Sequence, residues 1–358
     1  MIVFVATERF IKLGDHLRGS LPDGLRRRFV TLSYEELLFE RAGPIGHYIF
    51  TDFDRLSRYE IESVMRFVRA LHDAAPDARI LNHPLHALER TALLRALFEA
   101  GINDFDVVRL DLGEKPRRYP AFIRSEDGYG GPETELFHDE AGFDRAVADL
   151  AARGLPTKGR IAVGYAAEAS PDGYFRKYGC FNVDGEIVPY HLHRQKHWVV
   201  KSLAPGELRT PGRRRSRPDD LVEEEFAYIS SNPHREQLAR AFAVAKIDYG
   251  RADYGIVGGR VQIYEINTNP NYSSGRRKGE VKPLQAERRR ILTAKFHAVL
   301  QRIDAVALPG GRVYFLEERP RVHRVHLPRN RLAFSLFRRV LDFFRRPRIE
   351  AGPPQGGR

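Results

Sequence analysis

The chain opens on an unbroken apolar run, Ile2-Val3-Phe4-Val5-Ala6, bounded by polar residues. A run this short suits a strand buried on both faces. Phe29–Leu32, His47–Thr51 and Arg79–Leu81 read the same way. Between them the period changes to that of a helix. Ile61, Val64, Met65, Val68 and Leu71 share one face of a helix over Ser57–Ala74, with Ser57 as its cap. Leu85–Ala100 is predicted as another helix, closed by Gly101. Strands alternating with helices imply a parallel sheet. Further on, Asn232-Pro233 to about Ala245 and Pro283 to about Ile303 carry helical signals, with Asn232 as cap and Pro233 at the first helical position. The class is therefore α/β, with an α+β second half.

The most pointed pattern lies at residues 251–270. Arg251–Ile256 and Val261–Ile266 both alternate and flank Gly258-Gly259, which predicts an antiparallel hairpin. Residues two apart share a strand face, so Arg251 pairs with Asp253 and Glu265 with Asn267. With the hairpin centred near Gly259, Asp253 sits opposite Glu265. Facing carboxylates repel. A Mg²⁺ ion, which takes oxygen ligands and leaves room for substrate phosphates, would relieve that repulsion.

Here the chain resembles the ATP-grasp superfamily, which includes D-alanine–D-alanine ligase, glutathione synthetase and the ribosomal-protein glutamate ligases. The family pattern is Arg-x-Asp on one strand and Glu-x-Asn-(Thr)-x-Pro on the next, matched by Arg251-Ala252-Asp253 and Glu265-Ile266-Asn267-Thr268-Asn269-Pro270. The resemblance implies that Asp253, Glu265 and Asn267 hold Mg²⁺, or Mn²⁺ in its place, and that Arg251 stabilises charge during transfer. Tyr119–Arg124 followed by Ser125-Glu126-Asp127-Gly128-Tyr129-Gly130-Gly131 resembles the strand and glycine-rich loop over the ATP phosphates, with Arg124 where the family usually has Lys. Gly128, Gly130 and Gly131 would then approach the nucleotide. Ile161–Tyr165 resembles the hinge that touches adenine, with Tyr165 beside it and Glu168 on the ribose hydroxyls. Phe137–Leu150 resembles the helix that follows the glycine-rich loop, and residues 172–189 resemble the hairpin that places a basic residue, Arg176 or Lys177, on the phosphates. Asn269, Asn271, Ser273 and Ser274 would follow the metal strand toward phosphate or substrate, with Arg276, Arg277 and Lys278 on an anion or on a solvated turn. The resemblance spans roughly residues 80–300. It implies an ATP-grasp fold behind a Rossmann-like N-terminal domain, and ligation of a carboxylate, activated as its acyl phosphate, to an amine or similar nucleophile. The substrates would be small molecules or peptides.

Composition narrows the alternatives. The chain has 358 residues and no apolar stretch long enough to span a membrane. Its opening run is too short for a signal-peptide core. No Gly-x-Gly-x-x-Gly follows the first strand and no Gly-x-x-x-x-Gly-Lys-Ser/Thr occurs, which disfavours a dinucleotide fold and a P-loop. One cysteine, Cys180, allows no internal disulfide, fits a cytoplasmic location, and reads as a packed thiol. His191 and His193 share a strand face near His197, but no Cys or acid completes a zinc set; a substrate-pocket lining or packing beside Trp198 is expected.

The formal charge of +12 is uneven. Residues 309–358 hold twelve Arg, no Lys and four acids, so most of the basicity belongs to the tail and nucleic acid is disfavoured as a partner. Asn330 would cap a basic helix over residues 331–344, with Leu332, Leu336, Phe337, Val340 and Phe344 on one face. Residues 330–346 would contact a membrane surface, a protein partner or the enzyme body. The Arg-rich loop 213–217 reads as a lid or as a solvated loop. The expected organisation is an N-terminal domain over 1–112, a small ATP lobe over 113–165, a large lobe with the metal site over 166–305, and a basic tail over 306–358 with a disordered end. Two other readings remain beside the ligase: a phosphotransferase on the same fold, and a membrane- or nucleic-acid-associated binding protein with a vestigial site.

Overall fold

Every residue of the opening run is buried, because the strand it forms is covered on both faces. A computed structural model describes residues 1–127, 131–200, 218–272 and 283–316. Strand β1 spans Ile2–Ala6; helices Lys12–Ser20 (α1) and Asp23–Arg27 (α2) lead to Phe29–Ser33 (β2). Tyr34–Glu40 (α3), Ala42–Pro44 (β3), His47–Phe50 (β4), Arg58–Ala74 (α4), Ile80–Leu81 (β5) and Arg90–Glu99 (α5) follow. The strands form a parallel sheet in the order β2-β1-β4-β5. Ile2, Phe4 and Ala6 face α1 and α2, while Val3 and Val5 face α3 and α4, as period-two alternation requires. Ser33 and Ser57 close reciprocal capping boxes with Glu36 and Glu60, which fix the starts of α3 and α4.

Val107–Arg109 (β6), Ala121–Ser125 (β7), Glu140–Ala152 (α6) and Arg160–Gly164 (β8) make a small antiparallel sheet, ordered β6-β8-β7, backed by α6. Phe175–Val183 (β9), Glu186–Gln195 (β10), Asp219–Ser231 (α7), Arg235–Ala245 (α8), Tyr249–Val257 (β11) and Arg260–Asn267 (β12) build a second antiparallel sheet in the order β10-β9-β11-β12. One face packs on α5, α7 and α8; the other meets Pro283–Ala305 (α9) through Phe181, Tyr190 and Phe296. Arg312–Tyr314 (β13) returns to pair with β3. Met1–Leu316 is one compact unit, and no helix among the described residues is long and apolar enough to cross a membrane. The expectations for residues 273–282, 201–217 and 317–358, including the 330–346 helix, lie outside the described residues.

Three helix boundaries differ from the sequence reading. Asn232 is not a cap at a helix start. It ends α7 in the left-handed conformation (φ 48°), its N–H on the Tyr228 carbonyl and its Nδ2 on Ile187 O at 2.9 Å. Asparagine suits both ends of a helix, and the apolar period of Leu221, Val222, Tyr228 and Ile229 decides for the upstream one. The helix expected from Phe137 starts at Glu140, because Phe137 exchanges both backbone bonds with Ala121 and Asp139 supplies the cap. The helix expected from Leu85 starts at Arg90, since Leu88 bonds across to Ala245.

Candidate active site

The site begins at the β11–β12 hairpin. Gly258 and Gly259 both have positive φ (54° and 76°), the backbone that a tight two-residue turn needs. A regular ladder from that turn would set Asp253 opposite Tyr264. Instead the register slips between Asp253 and Tyr254, so that Asp253 pairs with Glu265 and Arg251 with Asn267. The bulge leaves Tyr264 as the extra residue. Gly255 makes room for it, because a Cβ there would collide with the Tyr264 hydroxyl. One inserted residue thus brings the two carboxylates face to face.

Each carboxylate is held by two cations. Asp253, 5 % exposed, takes Lys177 Nζ at 2.9 Å and Arg251 Nε at 3.0 Å. Burial alone would raise its carboxyl, but Arg251 and Lys177 outweigh that and hold it well below the usual carboxylate range. Glu265 takes Arg90 Nη2 at 2.8 Å, with Arg124 Nη2 at 3.6 Å. Burial, then the neighbouring Arg90, push Arg124 down from the ordinary guanidinium value. Four cations against two carboxylates leave a surplus of positive charge suited to a polyanion.

A cavity of about 570 Å³ opens beside these groups. Arg124, Gly131, Tyr165, Arg176, Lys177, Arg251, Asp253 and Glu265 all line it, as do His191 and His193. Its other end is apolar and aromatic. Trp198 lies 5.3 Å from Phe122 and 5.4 Å from Tyr165 between ring centroids, with Leu94, Phe105, Val163 and Tyr264 around them. This end suits a flat heteroaromatic ring. His191 packs over Gly179, where a Cβ would come within 2.5 Å of the ring, and burial pushes its imidazole well down from the ordinary value. Cys180 is fully buried, and burial pushes its thiol up.

Three expected residues are not in the lining, and a fourth lines it but is engaged with acids of its own. Glu168 accepts from Gly258 N at 3.0 Å, on the β11–β12 turn, and is not among the residues lining the cavity. Asn269 is buried and turned away from the cavity, its Nδ2 on Asp52 Oδ2 at 2.8 Å. That carboxylate claims the amide more strongly than open space would. Asn267 is not in the lining; its Oδ1 accepts from Asn269 N at 2.8 Å. Arg176 lines the cavity but is forked onto Asp172 (2.7 and 2.9 Å) and reaches Glu224, so Lys177 is the one of the pair that meets the metal-side carboxylate. Gly128 and Gly130 lie outside the described residues.

The sequence reading missed Arg90 and the role of Trp198. Arg90 sits at the start of α5, some 175 positions from Glu265, in a stretch with no motif. Trp198 was seen only as a neighbour of histidines.

The two facing carboxylates are oxygen donors of the kind a hard divalent cation takes, and Asn267 follows Glu265 by two residues on the same strand. Among the described residues there is no cluster of three His, Cys, Asp or Glu side chains for a metal.

No family model matches the chain, and no curated protein matches it. Solved structures do. Among them are a D-alanine–D-alanine ligase from Bacillus anthracis complexed with ATP (TM-score 0.45, 11 % identity, 85 % of this chain and 97 % of that one). The ATP-grasp ligase PsnB complexed with a minimal precursor gives a TM-score of 0.46 at 11 % identity, over 85 % of this chain and 98 % of that one. The VanG D-Ala:D-Ser ligase from Enterococcus faecalis gives 0.45 at 11 % identity, over 84 % and 98 %. At this level the likeness does not extend to chemistry, which rests on the residues themselves.

Proposed function

We propose that this protein is an ATP- and Mg²⁺-dependent ligase of the ATP-grasp kind, joining a carboxylate to an amine or similar nucleophile with release of ADP and phosphate. The observation that carries the reading is the convergence, in one cleft, of facing carboxylates, four cations and an aromatic end.

In this reading Phe122, Tyr165 and Trp198 hold the adenine, and Gly131 approaches the phosphates. Asp253, Glu265 and Asn267 hold Mg²⁺, which when bound neutralises phosphate charge. Lys177 and Arg124 turn from their carboxylates toward phosphate oxygens, and Arg90 joins them. The substrate carboxylate attacks the γ-phosphorus and becomes an acyl phosphate; the amine then adds to its carbonyl and phosphate leaves. Arg251 faces the oxyanion that forms, a donor of the kind often worth about 3 kcal/mol of barrier. Catalysis comes from approximation and charge stabilisation, so no protein nucleophile is needed. A cavity of about 570 Å³ accommodates the nucleotide and leaves the His191 and His193 side for substrate. A peptide or a small molecule fits this scheme equally.

Calorimetry of ADP binding with and without Mg²⁺ tests it. The wild type should bind ADP tightly only with Mg²⁺, and Glu265→Gln/Asn267→Ala should lose that assistance. A folded wild type that binds no ADP overturns the reading.

A further inference from the structure

Asp52 is a buried acid that the scheme above does not use. It lies two residues past the end of β4, at the carboxyl edge of the parallel sheet, 3 % exposed and in the left-handed region (φ 54°). Asp and Asn tolerate that backbone better than other non-glycine residues. Its peptide N–H donates to Thr268 Oγ1 at 3.2 Å. Its Oδ2 accepts from Thr7 Oγ1 at 3.1 Å and from Asn269 Nδ2 at 2.8 Å, and its Oδ1 lies 3.7 Å from Arg55 Nε. Asn269 in turn donates its backbone N–H to Asn267 Oδ1 at 2.8 Å. The bonds run in one line from the N-terminal sheet to the end of β12.

We propose that Asp52 is a positioning residue, which through Asn269 fixes the orientation of the Asn267 side chain and so completes the metal site from the neighbouring sheet. The inference rests on the functional reading given above. Burial pushes the Asp52 carboxyl up, and the bonds from Asn269 and Thr7 offset that. A carboxylate at such a position is costly for packing alone. Its bonds go to the two residues that follow the expected ligands Glu265 and Asn267, and outer partners of ligands set metal affinity by about 10- to 100-fold. Thr7 and Asn269 both donate to one oxygen, so an amide oxygen at position 52 can take both bonds while a methyl group can take neither.

The test measures Mn²⁺ binding by electron paramagnetic resonance with saturating ADP, and ADP binding without metal by calorimetry. Asp52→Ala and Asn269→Ala should each weaken Mn²⁺ about 10- to 100-fold and leave metal-free ADP binding unchanged. Asp52→Asn should retain most of the affinity. Thr7→Val, which spares the Asn269 tether, should retain it too, whereas a merely structural role would make Thr7→Val and Asp52→Ala alike. Wild-type Mn²⁺ affinity in folded Asp52→Ala and Asn269→Ala overturns the inference and leaves the functional reading standing. Should Asp52→Ala not fold, Asn269→Ala alone decides. A wild type that takes up no Mn²⁺ with ADP overturns both.

Discussion

Two four-stranded sheets lie side by side in this protein and use their residues in opposite ways. In the parallel sheet, β1 and β4 bury every side chain, and those side chains pack the domain and, through Phe4 on Tyr249, the second sheet. In the antiparallel sheet, β12 is buried over Val261–Ile263 and then opens over Tyr264–Asn267, where burial lapses and charge begins. Nothing in β1 or β4 is open to a ligand. The second concentrates cations and carboxylates at one end, where Lys177, Arg251 and Asp253 must be balanced against each other. Chemistry is placed where the hydrophobic pattern stops.

The contrast breaks first in the parallel sheet. Phe4, 1 % exposed, packs on Phe29 and Tyr249. Phe4→Ala should cost about 3–5 kcal/mol in urea unfolding and leave the ADP affinity of the folded fraction unchanged. A folded variant with altered ADP affinity would tie the two sheets more closely than the account allows. On the other sheet, Arg251→Ala should lower kcat by about 10²–10³ with a smaller effect on ADP binding, read from steady-state phosphate release. Equal loss in both quantities would assign Arg251 to ground-state binding. Trp198→Ala should weaken ADP by about 1–3 kcal/mol, the range for removing an aromatic ring from under a base, and calorimetry reads it directly. An unchanged affinity would move the adenine away from the aromatic end.

The smallest effect is shared by both sheets. Burial pushes His47 at the parallel sheet and His191 at the cleft down from the ordinary imidazole value. The unfolded chain therefore takes up protons first, near pH 6.5, and the folded chain only lower. Stability from these groups is present above about pH 6.5 and falls as pH drops below it. Urea midpoints at pH 7.5 and 5.5 should show the fall, and His191→Asn should reduce it. A midpoint that rises on acidification contradicts the sign.

Much of this was legible beforehand, for unequal reasons. The parallel strands announce themselves because full burial demands apolar residues in sequence, and Ile2–Ala6 appears with the expected ends. The facing of Asp253 and Glu265 was read correctly through a turn centre at Gly259, yet the turn is centred between Gly258 and Gly259 and the bulge at Tyr264 supplies the missing step. The bulge depends on what Gly255 leaves open, which no strand pattern encodes. Arg90 was invisible because its partner lies far along the chain, and its helix has no signal beyond amphipathicity. The bond from Asn269 to Asp52 was not legible, because Asp52 follows another strand far along the chain. Local periods specify elements; the groups that converge from separate elements are specified only by packing.

The most direct measurement is anomalous diffraction at the manganese edge from crystals grown with ADP and Mn²⁺. The account predicts a peak within bonding distance of the Asp253 and Glu265 carboxylates, with Lys177 and Arg124 swung from them toward phosphate oxygens. ADP bound with no metal at those carboxylates, or a metal held only by His191 and His193, would contradict it.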